Sequence, residues 1–377
     1  MAMRNIETIT CEMFLNPNKE WLAETWQNLQ PCAEDNVFLS WLWISSWLDC
    51  FVDDFILVEA RQNNRIVGLG ILIKKTSLLS ACAQRGDYYL HRTGDESKDQ
   101  IWIEYNDFLM DKKHEIQIRK CMASKVLHMI KKRESFIVGA SFVNDFDKVH
   151  QIGALQRVTW RTTAYGLDLS VFKGDVDAFR MSLSKSARYQ IKRSIQRYEE
   201  LGELKLETAS TIKMAMDFLE IAKPYHISRW GSSKGGSGFI NPDFVAFHTT
   251  LIERGIKNGS VQIHRISVNK ETIAIIYNLE TSDQAYFYLS AINYSMTNSH
   301  FKPGLVSHYL LIQKAIVDGK LTYDFMGGAA RYKSTFANHE SNLAVYKFQH
   351  PHLLLTVENF SRNLKHRLQS KSSYDYS

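Results

Sequence analysis

The stretch from residue 286 to residue 326 constrains the fold more than any other part of the chain. It reads YFYLSAI at 286–292, then Lys302-Pro303-Gly304, then LVSHYLLIQKAIV at 305–317 and LTYDFM at 321–326. The first and last runs are short, aromatic and β-branched, which predicts strands. Between them Leu305, Tyr309, Ile312 and Ile316 recur at helical spacing, which predicts a helix with one buried face. A helix that starts from a Pro-Gly turn between two strands presents unpaired N–H groups and the positive end of its dipole to an anion. The N–H groups of residues 304–307 are therefore candidates for holding phosphate. An ordinary helix start that happens to use Pro and Gly would look the same.

The rest of the chain repeats this grammar. In the first half a helix is expected over 38–51, with Leu39, Trp43 and Trp47 on one face. Strands follow at 55–60, 65–74 and 101–110, then a helix at 115–132 and a strand at 135–141. In the second half the expected order is strand 165–170, helix 176–201, strand 204–208, helices 212–222 and 242–257, and strands 261–268 and 272–279. After the crossover come a strand at 343–348 and a C-terminal amphipathic helix carrying Leu353, Val357, Phe360, Leu364 and Leu368 on one stripe. The reading is a mixed α/β fold in two units of similar plan, 1–160 and 161–377, without sequence identity between them.

Composition narrows the partners. The 377 residues carry a formal charge of +6 and a pI near 8.9, which suits anionic small molecules but falls short of a dedicated nucleic-acid binder. The basic run Lys185, Arg188, Lys192 has little aromatic interleaving, so it reads as a solvated face. Five cysteines, all in the first third and without a C-x-x-C pair, argue for reduced thiols and against a zinc site or disulfide framework. No run reaches bilayer-spanning length. The expectation is a soluble cytoplasmic protein without a metal, and aromatic residues in the first half suggest a possible homodimer surface. Glu104, Tyr105, Asn106 and Asp107 interrupt the apolar pattern at 101–110. They are either acceptor-binding groups between the two units or a solvated strand end.

Around the Pro303-Gly304 turn stand further motifs: H-x-x-R-W-G at 226–231, G-F-I-N-P at 238–242, Y-F-Y-L at 286–289, Y-D-F-M-G-G at 323–328 and R-Y-K at 331–333. Together, in order and spacing over about residues 165–350, they resemble the GNAT-related acyltransferases grouped with cellulose-biosynthesis-associated acetyltransferases. These in turn are similar to Fem-type peptidoglycan aminoacyltransferases. The resemblance implies two tandem GNAT-like domains, the second binding an acyl-CoA, with acetyl as the acyl group. It places the CoA pyrophosphate at Lys302, Pro303, Gly304, Leu305 and Val306. One departure stands out: the family's glycine-rich loop is reduced here to Lys-Pro-Gly.

The implied reaction is transfer of the acyl group to an amine or hydroxyl of a saccharide or related small acceptor. Candidate catalytic residues are His226 and Asp324 as base or orienting group and Lys333 as a cation near developing negative charge. Candidate substrate-binding residues are Arg229, Trp230, Tyr288, Tyr323 and Glu104. The other readings are a Fem-type transferase that takes its donor from charged tRNA, and a GNAT-fold binding module without catalysis.

Overall fold

A computed structural model describes residues 8–77, 85–146, 153–295 and 300–351. The first half contains β1 (Ile9–Leu15), α1 (Lys19–Leu29), α2 (Trp41–Phe51), β2 (Ile56–Gln62), β3 (Arg65–Ser77), β4 (Arg85–Leu90), β5 (Leu109–Met110), α3 (Glu115–Met129), β6 (Ser135–Phe142) and α4 (Val143–Phe146). The second contains β7 (Leu155–Asp168), α5 (Val176–Ser182), α6 (Lys185–Glu199), β8 (Leu204–Thr208), α7 (Ile212–Trp230), α8 (Pro242–Gly255), β9 (Val261–Val268), β10 (Glu271–Glu280), β11 (Gln284–Ile292), α9 (Pro303–Val317), β12 (Thr322–Gly327), α10 (Arg331–Phe336) and β13 (His339–Gln349).

All these strands form one sheet, ordered β1-β2-β3-β4-β6-β13-β7-β12-β11-β10-β9-β8, with β5 beside β3. Neighbours are antiparallel except β4 with β6 and β11 with β12. Each parallel pair is bridged by a helix, α3 in the first half and α9 in the second, so the two halves share a plan. Strand β13 lies between β6 of the first half and β7 of the second. The expected boundary at 160/161 falls inside β7, which pairs with β13 from Leu155 to Gly166.

Three apolar clusters fill the fold. One lies under α3 and takes Tyr346 and Phe348 from β13. A second lies under α9, α5 and α6. The third joins the halves on the opposite face of the second half's sheet, where Trp43 of α2 packs edge-on against Phe247 of α8 at 4.8 Å and near Tyr288 at 6.0 Å.

Several expectations need correction. The strand over 101–110 is instead a loop, because Trp102 and Tyr105 take left-handed backbone conformations (φ 47° and 51°), and only Leu109–Met110 pairs as β5. The helix at 176–201 is two helices, since Ser184 caps α6 by accepting the Ala187 N–H at 3.1 Å. Helix α7 runs past Pro224 to Trp230. Cys11 of β1 and Cys121 of α3, with Cα atoms 6.4 Å apart, are joined as a disulfide rather than left reduced. The expected C-terminal helix lies outside the described residues. Of the first-half aromatics, Trp26, Trp43 and Trp47 are buried, while Trp21 and Trp102 are exposed.

If β13 completes the first half's core, truncating Phe348 there must be felt. Its ring is fully buried, 5.9 Å from Phe136 and 6.3 Å from Phe146. Phe348→Ala is expected to lower stability by about 3–5 kcal/mol in chemical denaturation. A loss under about 1 kcal/mol contradicts this packing role.

Candidate active site

Strands β11 and β12 pair only through Gln284–Thr322, Ala285–Tyr323 and Tyr286–Asp324, and separate beyond that point. Alternation along β12 sends Tyr323 and Phe325 into the cluster under α9 and Asp324 to the opposite face. Immediately after Asp324 the pairing with β7 shifts register, and Met326 is left-handed (φ 60°). This bulge turns the Met326 and Gly327 N–H groups toward Asp324 and toward the loop before β5.

That loop belongs to the first half. The Glu104 carboxylate accepts the Gly327 N–H at 2.7 Å, and the Tyr105 hydroxyl donates to Asp324 Oδ1 at 2.8 Å. The Met326 N–H also donates to Asp324 Oδ1, at 2.6 Å. Gly327 is what allows the approach: a Cβ there would lie 3.0 Å from Glu104 Oε1 and 2.8 Å from the Thr162 methyl. The Lys333 ammonium, on α10 and 6% exposed, donates to the Gly327 carbonyl at 2.6 Å and the Met326 carbonyl at 3.3 Å. The peptide linking Met326 to Gly327 thus offers its carbonyl to Lys333 and its N–H to Glu104.

The loop is itself held in place. Asn36 Nδ2 donates to the Tyr105 carbonyl at 2.8 Å, and Asn106 Nδ2 donates to the Leu90 carbonyl at 2.8 Å. Tyr288 spends its hydroxyl proton on the Ile101 carbonyl at 2.5 Å and sits 3.0 Å from His248 Nε2.

Burial sets the charges. It raises Glu104 from the usual carboxylate range to about 7, opposed by the Gly327 N–H, reinforced by Asp324 and moderated by Lys333. Burial raises Asp324 to about 6 against its bonds to Met326 and Tyr105, and lowers Lys333 to about 8 against the pull of both carboxylates. Two carboxylates and an amine from two halves of the chain therefore titrate close to neutrality, the pattern associated with reacting groups.

The other sequence candidates lie elsewhere. His226 on α7 bonds Ser237 Oγ through Nδ1 at 2.7 Å and packs on Phe239, and burial lowers it to about 4. It is neutral at neutral pH and contacts neither Asp324 nor Lys333. Tyr323 is fully buried beneath α9, with its hydroxyl 3.4 Å from His308 Nδ1, on the face opposite Asp324. Arg229 lies over Trp230 at 5.9 Å and over Tyr294 at 5.7 Å. Tyr294 belongs to the connection leading to α9, and Trp230 is 58% exposed. These residues form a rim, and the Arg229 charge is felt by Tyr332, next to Lys333.

At the turn, Pro303 has no N–H, the Lys302 N–H donates to Ser194 Oγ at 2.7 Å, and the Val306 N–H is spent on the Lys302 carbonyl at 3.0 Å. The anion-facing donors reduce to Gly304 and Leu305. A Cβ on Gly304 would meet nothing within 4 Å, so space lies open before them. Tyr105 stood in the polar run at 104–107, and Tyr286 and Tyr332 stood in the Y-F-Y-L and R-Y-K motifs without a role of their own.

Residues 185–334 match the model of the acetyltransferase (GNAT) domain. The matched region contains the separating strands, the α9 turn, Asp324 and Lys333, and excludes Glu104. No curated protein matches the chain in sequence. Among solved structures, FemX is similar over 89% of this chain and 96% of its own, with a TM-score of 0.59 and 10% identity. The C-terminal domain of a protein described as a lysylphosphatidylglycerol synthetase, from Agrobacterium fabrum, covers 88% of this chain and 92% of its own, at 0.51 and 10%. A conserved protein of unknown function from Bacteroides thetaiotaomicron covers 86% and 96%, at 0.51 and 9%. At such identities the likeness is one of fold, and it extends over both halves. None of these bears on the narrower cellulose-biosynthesis group. Among the described residues no cluster of three His, Cys, Asp or Glu is placed to hold a metal, and no helix is long and apolar enough to cross a membrane.

The Glu104 shift is directly measurable. Its folded value lies above its ordinary 4.5, so the stability contributed by the protonated form is full below pH 4.5 and fades as pH climbs through about 7. A carbon-detected NMR titration should show one glutamate carboxyl titrating near 7 and moving higher in Lys333→Met. A Glu104 that titrates in the ordinary carboxylate range contradicts the geometry described.

Proposed function

We propose that the protein is an acyltransferase that takes an acyl group, acetyl in the simplest case, from acyl-CoA and places it on an amine or hydroxyl of a small, saccharide-type acceptor in the cytoplasm. One observation carries this reading. A first-half carboxylate, Glu104, is bonded to β12 beside Asp324 and Lys333, where β11 and β12 part inside the region that matches the GNAT domain.

The residues present fit a CoA thioester. The free N–H groups of Gly304 and Leu305, the open space before Gly304 and the Arg229 guanidinium on the nearby rim suit its phosphates. A bound acyl-CoA supplies the activated acyl group. Glu104, titrating near 7, takes the proton of the acceptor amine or hydroxyl as it attacks the thioester carbonyl, and coenzyme A leaves as its thiol when the carbon–sulfur bond breaks and that proton is returned. Asp324, fixed by Tyr105 and Met326 on Oδ1, orients the acceptor. Lys333, charged below about 8, stabilises negative charge that develops beside it. Tyr288 holds the Glu104 loop through the Ile101 carbonyl, and His226 braces the 231–239 turn through Ser237. The two carboxylates reach the centre from different halves, which supports an acceptor between the units and a donor in the second.

Calorimetric titration with acetyl-CoA tests the donor. The unmodified protein is expected to bind, and Gly304→Trp, which fills the space before the turn, to bind at least about tenfold more weakly. Absence of binding by the unmodified protein sinks the acyl-CoA reading, and equal binding by both removes the role of the turn. Over a panel of amine and hydroxyl acceptors, Glu104→Gln should lower turnover by about 100- to 10,000-fold with acetyl-CoA affinity unchanged. Undiminished turnover in that variant assigns the base elsewhere.

A further inference from the structure

On the face of the sheet opposite Glu104 and Asp324, α5, α6 and α9 enclose a groove of about 530 Å³. Its floor is apolar: Leu183, Ile191 and Tyr309 line it and are themselves 6%, 3% and 7% exposed. Its rim is cationic, with Arg180, Arg188 and Lys192 against a single acid, Glu199, at the far end. Two large side chains of the lining stand out into solvent, Met181 at 60% exposure and Tyr189 at 63%. A basic helix face alone is an ordinary solvated surface. Protruding apolar side chains among cations, over an apolar trough, are not what a solvated surface selects.

The cations are not consumed by the fold in equal measure. Arg188 donates to the Met181 carbonyl at 2.9 Å and to the Leu183 carbonyl, tying the end of α5 to α6. Among the described residues Arg180 has only an exposed pair with Asp177, at 3.0 Å, which is worth little in water. Lys192 is exposed and has no acidic partner within 4 Å among the described residues. Arg193 lies over the Tyr189 ring at 5.3 Å, which adds charge beside the protruding aromatic.

We propose that this groove docks the protein on an anionic bilayer surface, with a lipid phosphate between Arg180 and Lys192 and with Met181 and Tyr189 inserted at the headgroup level. Charge and shape exclude the nearest alternatives. The segment 352–377 carries Arg362, Lys365, Arg367 and Lys371 against Glu358 and Asp375, so it is repelled by a cationic rim. A symmetric second copy would set the same cations against one another. RNA recognition calls for several free aromatic faces, whereas Tyr189 carries Arg193 over one face and Tyr309 is buried. The surface lies on the side of the sheet away from the acyl-transfer centre. It is independent of the function proposed above.

Co-sedimentation with vesicles is the test. The full chain should pellet with phosphatidylcholine vesicles containing phosphatidylglycerol and stay in solution with phosphatidylcholine alone. Arg180→Ala/Lys192→Ala should weaken partitioning by about 25-fold, at roughly fivefold for each cation, and Met181→Asp should also release the protein. Thermal melting and acetyl-CoA titration of both variants, unchanged, confirm that they are folded. No binding to phosphatidylglycerol vesicles, equal binding by both variants, or tighter binding to a structured RNA than to those vesicles overturns the proposal.

Discussion

Everything in the second half's site depends on where β13 goes. β13 enters the sheet between β6 and β7, so the two halves share an unbroken hydrogen-bonded ladder instead of a linker. An interface between domains joined only by a linker is polar and mobile by default. Here the ladder and the Trp43–Phe247 packing of α2 on α8 fix the first half against the second. That rigidity is what allows a loop of one half to present a carboxylate to a backbone N–H of the other at 2.7 Å.

The same rigidity maintains an unfavourable charge arrangement. Glu104, Asp324 and Lys333 are drawn out of water, and each is driven toward its neutral form by burial. Lys333 stabilises both carboxylates through space while its hydrogen bonds go to the Met326 and Gly327 carbonyls. A stability-optimised interface would fill this position with apolar side chains. Left-handed Trp102, Tyr105 and Met326 cluster around the same three groups, and strain of that kind persists where the surroundings over-determine the backbone. Groups tuned to titrate near neutrality, beside strands that part, form a place where a proton can be moved at working pH.

Much of the frame was legible in the sequence because local pattern and tertiary role agree there. The runs at 204–208 and 261–268 coincide with β8 and β9, and the turn at Asn269 and Lys270 adopts the left-handed backbone that a tight hairpin demands. Helix α9 reads clearly because its apolar spacing matches one buried face. Where tertiary demands override pattern, reading fails. Residues 101–110 look like a strand, yet two left-handed residues bend them into the loop that carries Glu104. The helix expected over 212–222 ends short of Pro224, yet packing of α7 on the sheet carries it on to Trp230. Asp324, Lys333 and Glu104 stood out as residue types in suggestive runs. That they meet follows from β13 and the β12 bulge, for which no local motif speaks. Tyr323 shared a run with Asp324 and His226 stood in a run of its own, but chain geometry turns both away.

The central claim is that Glu104 and Lys333, from different halves, are energetically coupled in one buried site. A double-mutant cycle of Glu104→Gln and Lys333→Met tests it by chemical denaturation between pH 7 and pH 8, where the two groups titrate. Coupling of about 1 kcal/mol or more is predicted. Effects that add to within about 0.5 kcal/mol would show that the two groups do not sense each other, and the site as described would not exist.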